Sequence, residues 1–168
     1  YRALLDRRDI DAVYLVTPPK VRLPIIRDCA QAGKNVLCEK PLATTQEETD
    51  SIRNILDGSR IHFMMCFPER YTVSFQEAKD IVARGLVGSI DYVRANFRFS
   101  MKKHGDLHGG WVFDRRTGGG LILESSVHLW DAIRWVTGGE VLEVMGLAHE
   151  LTDGGREFED NFVAIARM

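Results

Sequence analysis

Apolar residues in the first part of the chain fall into three short continuous runs. The runs Ala12–Thr17, Asn35–Lys40 and Ile61–Phe67 have the pattern of strands that are covered on both faces. Val21–Ala32 has apolar residues near helical spacing, and a second helix is expected to run to about Asp57. Strand, helix, strand, helix, strand with short links predicts βαβ units and a parallel sheet.

Polar residues and glycine mark the ends of these two helices. Gly33 stands where the first helix would stop, as a glycine often does one residue beyond a helix. Thr44 with Glu47, and Thr45 with Glu48, each fit a capping box at the start of the second.

The pattern changes after Pro68, where a second set of elements is predicted. Helices are expected at Ser74–Arg84 and from the glycine triplet 118–120 to about Val136. An alternating, half-buried strand is expected at Ile90–Ser100, followed by a polar, glycine-rich loop at Met101–Thr117. Two further strands, Val141–Leu151 and Glu157–Arg167, are expected to be joined by a hairpin-type turn. The fold class is therefore α/β. A partial parallel sheet in 1–67 precedes a partial α+β domain with a mainly antiparallel sheet in 68–168.

Composition and charge exclude several classes of protein. The 168 residues are 45% hydrophobic and 27% charged, as in soluble globular proteins, and we expect a cytoplasmic location. The formal net charge of −2 gives no basic field for nucleic acid, and no apolar run approaches the length of a membrane span. Cys29, Cys38 and Cys66 form neither a C-x-x-C pair nor a zinc spacing, so reduced, buried thiols are expected.

The ends of the three predicted strands place a lysine in a crevice. In parallel sheets, ligands bind beyond the carboxyl ends of the strands. Those ends are formed by Thr17 and Pro18, by Glu39–Pro41 and by Phe67–Arg70. Lys40 is therefore expected to face a ligand beside the sheet.

A second candidate cluster lies on the helix predicted after the glycine triplet. Glu124 and His128 are four residues apart and so share one helix face, and Asp131 follows His128 by three. A carboxylate one turn from an imidazole can fix its tautomer and stabilise its protonated form. The alternative is that both carboxylates are solvated and that His128 only packs or caps.

The glycine-rich loop and the glycine triplet carry weaker signals. The triplet either lets the backbone approach a ligand closely or is simply a loop, and the chain contains no G-x-G-x-x-G fingerprint. His104 and His108 lack further ligands nearby, so no metal site is expected. Trp111 is either a lid residue or a plug under the loop.

Four segments together resemble the family of glucose-fructose oxidoreductase and inositol dehydrogenase. They are AVYLVTPP, AGKNVLCEKPLATT, LVGSIDYVRANFR and GGGLILESSVHLWDAIRWVTG. The resemblance implies a Rossmann domain for NAD or NADP, of which this chain would hold the C-terminal half, followed by an α/β domain with a large open sheet. It also implies oxidation of a sugar, cyclitol or related polyol hydroxyl, or the reverse, and a homo-oligomer, either dimer or tetramer.

The resemblance also implies roles for individual residues. Lys40 matches the lysine of the E-K-P motif beside nicotinamide and the reacting hydroxyl, and His128 matches the general acid/base. Glu124 takes a position usually held by a substrate-binding aspartate. Trp111, chosen from the glycine-rich loop and not from the resemblance, is a further candidate substrate contact. The positions that match the lining of the cofactor cleft are Thr17, Pro18, Glu39, Lys40 and Pro41.

Several positions depart from the pattern of the resemblance. Glu124 replaces the usual aspartate, and Ser126 replaces a usual glycine. Pro19 and Arg22 stand where asparagine and histidine are common. The usual N-R-R after the third strand reads P-E-R, so Pro68 and Glu69 replace polar or basic residues.

The first strand, glycine-rich turn and acidic ribose-binding residue of a Rossmann half are expected before Tyr1, and much of the second sheet after Met168. A chain limited to these residues would lack the pyrophosphate site and is expected to bind a dinucleotide poorly.

Two other functions remain open at the level of the sequence. Some relatives cleave glycosides by transient oxidation with NAD, and nothing in the chain separates that reaction from a dehydrogenase. Other relatives are non-catalytic ligand sensors. The presence of both Lys40 and His128 argues against the sensor.

Overall fold

The fold is described from a computed structural model, which covers residues 1–98, 110–150 and 159–168. Its helices are α1 (Arg2–Leu5), α2 (Arg22–Gln31), α3 (Gln46–Asp57), α4 (Val73–Ala83) and α5 (Leu121–Thr137). Its strands are β1 (Ala12–Leu15), β2 (Asn35–Glu39), β3 (Phe63–Cys66), β4 (Glu143–His149) and β5 (Asn161–Arg167). Short 3₁₀ turns lie at Pro19–Val21, Pro68–Tyr71 and Trp111–Phe113.

The predicted parallel sheet is confirmed, with strand order β1-β2-β3. Ala12 pairs with Asn35, and Val36 pairs with Phe63. The core lies between this sheet and helices α2 and α3, and its buried apolar members are Leu15, Ile25, Ile26, Cys29, Val36, Cys38, Ala43 and Ile52. The apolar runs form the predicted strands, but the predicted cover on both faces is not seen in the described residues. Val36 and Cys38 of β2 face the core and are buried, whereas Tyr14 and Met64, in the row of the opposite face, are 53% and 49% exposed.

The helix ends follow the predicted chemistry, with one difference. Thr45 caps α3, its Oγ1 accepting from the Glu48 N–H at 3.2 Å. The Glu48 carboxylate accepts from the N–H and hydroxyl of Thr44 at 3.0 and 2.8 Å. Glu48 therefore serves both threonines, and the predicted box of Thr44 with Glu47 does not form. Gly33 follows α2 with a φ of +68°, as predicted for a left-handed position beyond a helix.

In the second half, α4 packs against α5, and β4 pairs with β5 in an antiparallel ladder. The predicted long helix and hairpin strands are confirmed, while the turn of the hairpin lies outside the described residues. The strand predicted at Ile90–Ser100 is not found over 90–98, because these residues join none of the described ladders. Alternation fixes which side chains share a face, but a strand also needs a partner.

The thiols behave largely as expected. Cys29 and Cys38 are fully buried, Cys66 is half-buried, and all three are free. Burial raises the pKa of the Cys38 thiol to about 11, which keeps it protonated and unreactive. Among the described residues, no helix has the length and apolar character needed to cross a membrane.

Candidate active site

The carboxyl ends of the three parallel strands form one edge, as predicted. Leu15 is paired with Cys38 and Glu39 with Cys66, so the segments that follow these strands start side by side. Thr17, two residues beyond β1, has a buried hydroxyl without a hydrogen-bond partner among the described residues. Buried polar atoms are normally satisfied, so this hydroxyl is free to take a further hydrogen-bond partner at the strand ends.

A buried arginine fastens two of these strand ends together. Arg22 is 2% exposed, and its Nε donates to the carbonyl oxygen of Thr17 at 3.0 Å. Its guanidinium also donates to the carbonyl oxygens of Glu39 and Pro41. Burial lowers the pKa of this guanidinium. Sequence reasoning noted Arg22 as a departure but missed this role, since its acceptors are backbone atoms that no side-chain pattern reveals.

Replacing Arg22 by methionine is expected to destabilise the full-length protein by about 2–4 kcal/mol, because three buried or partly buried carbonyl oxygens lose a charged donor. Urea unfolding measures the loss. Arg27 on the same helix is exposed, and Arg27→Met should change the free energy of unfolding by less than about 0.5 kcal/mol. Equal losses in the two variants would contradict the fastening role.

Lys40 reaches across to the second half of the chain. Its Nζ contacts the Glu124 carboxylate Oε1 and donates to the Glu124 carbonyl oxygen at 3.2 Å, a link between residues 84 apart in sequence. The side chains are 14% and 3% exposed. Ser125 Oγ donates to the other carboxylate oxygen at 3.1 Å. The strand-end lysine is thus joined to helix α5, one turn before His128 and about 6 Å along the axis.

Glycines before α5 allow this helix to start close to the strand ends. A Cβ on Gly118 would lie 2.8 Å from the carbonyl oxygen of Trp111, too close for any side chain. Gly119 has a φ of +82°, and its Cβ would lie 3.6 Å from Cα of Thr44. The glycines therefore allow close packing against other parts of this chain, and the approach of this backbone to a ligand stays a prediction.

His128 meets a carboxylate that the helix spacing did not predict. Its Nδ1 lies 2.8 Å from Oε2 of Glu69, in the 3₁₀ turn after β3. Both atoms are buried, and neither has an aligned hydrogen-bond partner among the described residues. The sequence shows Glu69 as a departure from the family pattern, but its contact with His128 cannot be predicted from spacing because the two residues are distant in sequence.

The two carboxylates on α5 are bound by cations from other elements. Glu124 holds Lys40, and Asp131 accepts from Nε of Arg70 at 2.8 Å and from its Nη2 at 2.5 Å. Glu124 and Asp131 are only 2% and 4% exposed. The alternative in which they are solvated is therefore wrong. They were also expected to flank the imidazole of His128. At Nδ1 this expectation is corrected, because the carboxylate that lies beside this atom belongs to Glu69.

The remaining predicted site residues are Pro18, Glu39, Pro41 and Trp111. Glu39 accepts from the Tyr14 hydroxyl at 2.5 Å, Pro18 is half-buried and Pro41 is fully buried. Trp111 is half-buried, and its carbonyl oxygen accepts from the Thr117 hydroxyl at 3.1 Å. Its part in substrate binding stays a prediction.

Two histidines of the glycine-rich loop cannot be placed in the site. His104 and His108 lie outside the described residues. Within 1–98, 110–150 and 159–168, no group of three or more His, Cys, Asp or Glu residues could hold a metal ion.

Comparisons with known proteins assign both halves of the chain to one family. Residues 1–65 match the model of an oxidoreductase family with an NAD-binding Rossmann fold, and residues 75–168 match the GFO/IDH/MocA C-terminal domain. The chain is 31% identical over 144 residues to the uncharacterized oxidoreductase YrbE of Bacillus subtilis, covering 86% of this chain and 40% of that protein.

Solved structures show the same likeness. Myo-inositol 2-dehydrogenase from Lactobacillus plantarum has a TM-score of 0.85 and 27% identity, covering 100% of this chain and 50% of that one. Scyllo-inositol dehydrogenase from Lactobacillus casei, with bound NAD(H) and scyllo-inositol, has a TM-score of 0.79 and 25% identity, covering 99% and 49%.

The chain therefore spans about half the length of these solved relatives. The family matches confirm the resemblance carried by the four segments named in the sequence analysis. On the match of both its halves, the chain belongs to the GFO/IDH/MocA family of oxidoreductases.

Proposed function

We propose that the full-length protein is an NAD- or NADP-dependent oxidoreductase that converts a hydroxyl of a sugar, cyclitol or related polyol to a ketone, or the reverse. One observation carries the proposal. Lys40, at the strand-end crevice, is joined to Glu124, one turn before His128 on α5. This contact supports the proposal, because it joins Lys40, the proposed hydrogen-bond donor, to the helix that carries His128, the proposed proton acceptor.

The residues around the crevice fit a nicotinamide nucleotide, either NAD or NADP. The unpartnered hydroxyl of Thr17 and the ammonium of Lys40 offer polar contacts at the strand ends. Together with them, Pro18, Glu39 and Pro41 would line the cofactor cleft. When bound, the nucleotide supplies the redox chemistry, and the protein supplies orientation and electrostatics.

In this proposal, His128 accepts the proton of the reacting hydroxyl, or returns it in the reverse direction. Lys40 donates a hydrogen bond to the same oxygen and stabilises the negative charge that develops there. Glu124 keeps the ammonium in position from its buried site and can share it with a neighbouring substrate hydroxyl. Trp111 remains the candidate for packing against the substrate ring.

The proposal is tested by incubating the full-length protein with NAD⁺ or NADP⁺ and a panel of cyclitols and monosaccharides. Absorbance of the reduced nicotinamide is followed, and we expect reduction with at least one member of the panel. The Lys40→Met/His128→Asn double variant serves as the control and should remain near the rate without enzyme. Equal rates for wild type and double variant would overturn the proposed roles, and no reduction with any member would count against a polyol substrate.

A homo-oligomer, dimer or tetramer, is also part of the proposal. The β4–β5 hairpin supports it, because the ladder places four exposed apolar side chains on one face. They belong to Met145, Leu147, Val163 and Ile165, which pair across the two strands.

A further inference from the structure

We propose that Glu69 is a positioning residue that holds His128 in the tautomer with the proton on Nδ1. The second ring nitrogen, Nε2, then carries the lone pair that accepts the substrate proton. This inference rests on the proposed role of His128 as general base. It names the group that prepares the imidazole for that role.

The contact itself supports the assignment. Nδ1 of His128 and Oε2 of Glu69 are 2.8 Å apart, and both are buried without another hydrogen-bond partner among the described residues. Two buried polar atoms at this separation satisfy each other once the ring N–H is aimed at the oxygen. The second side-chain torsion of histidine is broad, which allows the ring to turn toward the oxygen.

The chain fixes Glu69 relative to the helix that carries His128. The next residue, Arg70, donates two hydrogen bonds of 2.8 and 2.5 Å to the carboxylate of Asp131. Asp131 lies three residues after His128 on α5. The guanidinium carbon of Arg70 also lies 5.3 Å from the ring centroid of Phe67. The turn Pro68–Tyr71 is therefore clamped to the helix beside Glu69.

The distribution of charge gives Glu69 a distinct role. The carboxylates on α5 already have cationic partners, since Glu124 pairs with Lys40 and Asp131 pairs with Arg70. Among the ion pairs of the described residues, Glu69 has no partner other than His128. The carboxylate is thus available to accept from Nδ1 and to stabilise the imidazolium that forms when Nε2 takes a proton.

The test reads the tautomer directly, by ¹⁵N NMR of the full-length protein with labelled histidine and without substrate or nucleotide. The His128 signals are assigned from their loss in His128→Asn. We expect the Nδ1–H form in wild type and in Glu69→Gln, whose amide oxygen can still accept. Glu69→Ala should lose this preference. Glu77 on α4 is exposed, so Glu77→Ala is the control and should leave the His128 signals unchanged.

Kinetics supply the second readout. Glu69→Ala is expected to lower kcat about 10- to 100-fold with little change in KM, since a wrongly protonated imidazole binds substrate but cannot accept its proton. An unchanged tautomer in a folded Glu69→Ala variant would overturn the inference even if the protein oxidises polyols. Conversely, the expected tautomer change in a protein that oxidises no polyol would contradict the proposed function alone.

Discussion

Replacing Lys40 by methionine in the full-length protein is expected to lower kcat/KM for polyol oxidation by about 10²–10³-fold. Methionine keeps most of the length of the side chain but cannot donate a hydrogen bond. The oxygen of the reacting hydroxyl then develops its negative charge without a stabilising donor. Steady-state assays by nicotinamide absorbance measure the loss.

The same substitution should also reduce stability, because Glu124 keeps a buried carboxylate after its cation is removed. Breaking a buried ion pair from one side costs about 3–5 kcal/mol. The Lys40→Met/Glu124→Gln double variant removes both charges and should recover much of this stability in urea unfolding. Its activity should remain low. This separates the chemical role of the lysine from its structural one.

Lys34 provides a matched control for Lys40. It stands immediately before β2, whereas Lys40 stands immediately after it, and its Nζ donates to the carbonyl oxygens of Arg7 and Ile10 at 2.7 and 2.8 Å. Lys34→Met should therefore leave kcat/KM within about threefold of wild type, the range of a change that leaves transition-state contacts intact. A comparable loss in both variants would show that Lys40 acts through the sheet and has no direct part in catalysis.

His128→Asn is expected to lower kcat by about 10²–10⁴-fold, the usual contribution of a positioned general base. Asparagine preserves polarity but cannot exchange a proton at neutral pH. Binding of NADH, followed by nicotinamide fluorescence, should remain close to wild type. The loss thus falls on proton transfer, while binding of the nucleotide is retained.

His62 is the corresponding control, since it is exposed and lies just before β3, away from the strand ends that form the crevice. His62→Asn should retain the kcat of the wild type. Unchanged turnover of every accepted polyol by His128→Asn would show that another group exchanges the proton.

The sequence alone was sufficient to predict the parallel sheet and the place of Lys40. The apolar runs at β1, β2 and β3, with helices between them, predicted strands of one parallel sheet, and the carboxyl ends of such strands share an edge. Helical spacing likewise placed Glu124, His128 and Asp131 near one another. These features follow from local periodicity, which is encoded in neighbouring residues.

The partners of those residues could not be obtained in this way. The contacts of Lys40 with Glu124, His128 with Glu69 and Asp131 with Arg70 join elements that only the tertiary fold brings together. Arg22 was harder still, because its acceptors are carbonyl oxygens that every residue carries. The prediction of a strand at Ile90–Ser100 was wrong over 90–98 for a related reason. An alternating pattern does not show whether a neighbouring strand is present to pair with.

We propose above all that a carbinol is oxidised between Lys40 and His128, with its hydride passing to the nicotinamide nucleotide. Transfer of deuterium from the carbinol carbon of a polyol to the nicotinamide ring tests it most directly. The full-length protein is incubated with NAD⁺ and the best substrate of the panel, deuterated at its ring carbons, and the reduced nucleotide is analysed by mass spectrometry. We predict one deuterium per reduced nucleotide with the wild type and no product above background with Lys40→Met/His128→Asn. Unlabelled reduced nucleotide, or the same labelled yield from the double variant, would contradict the claim.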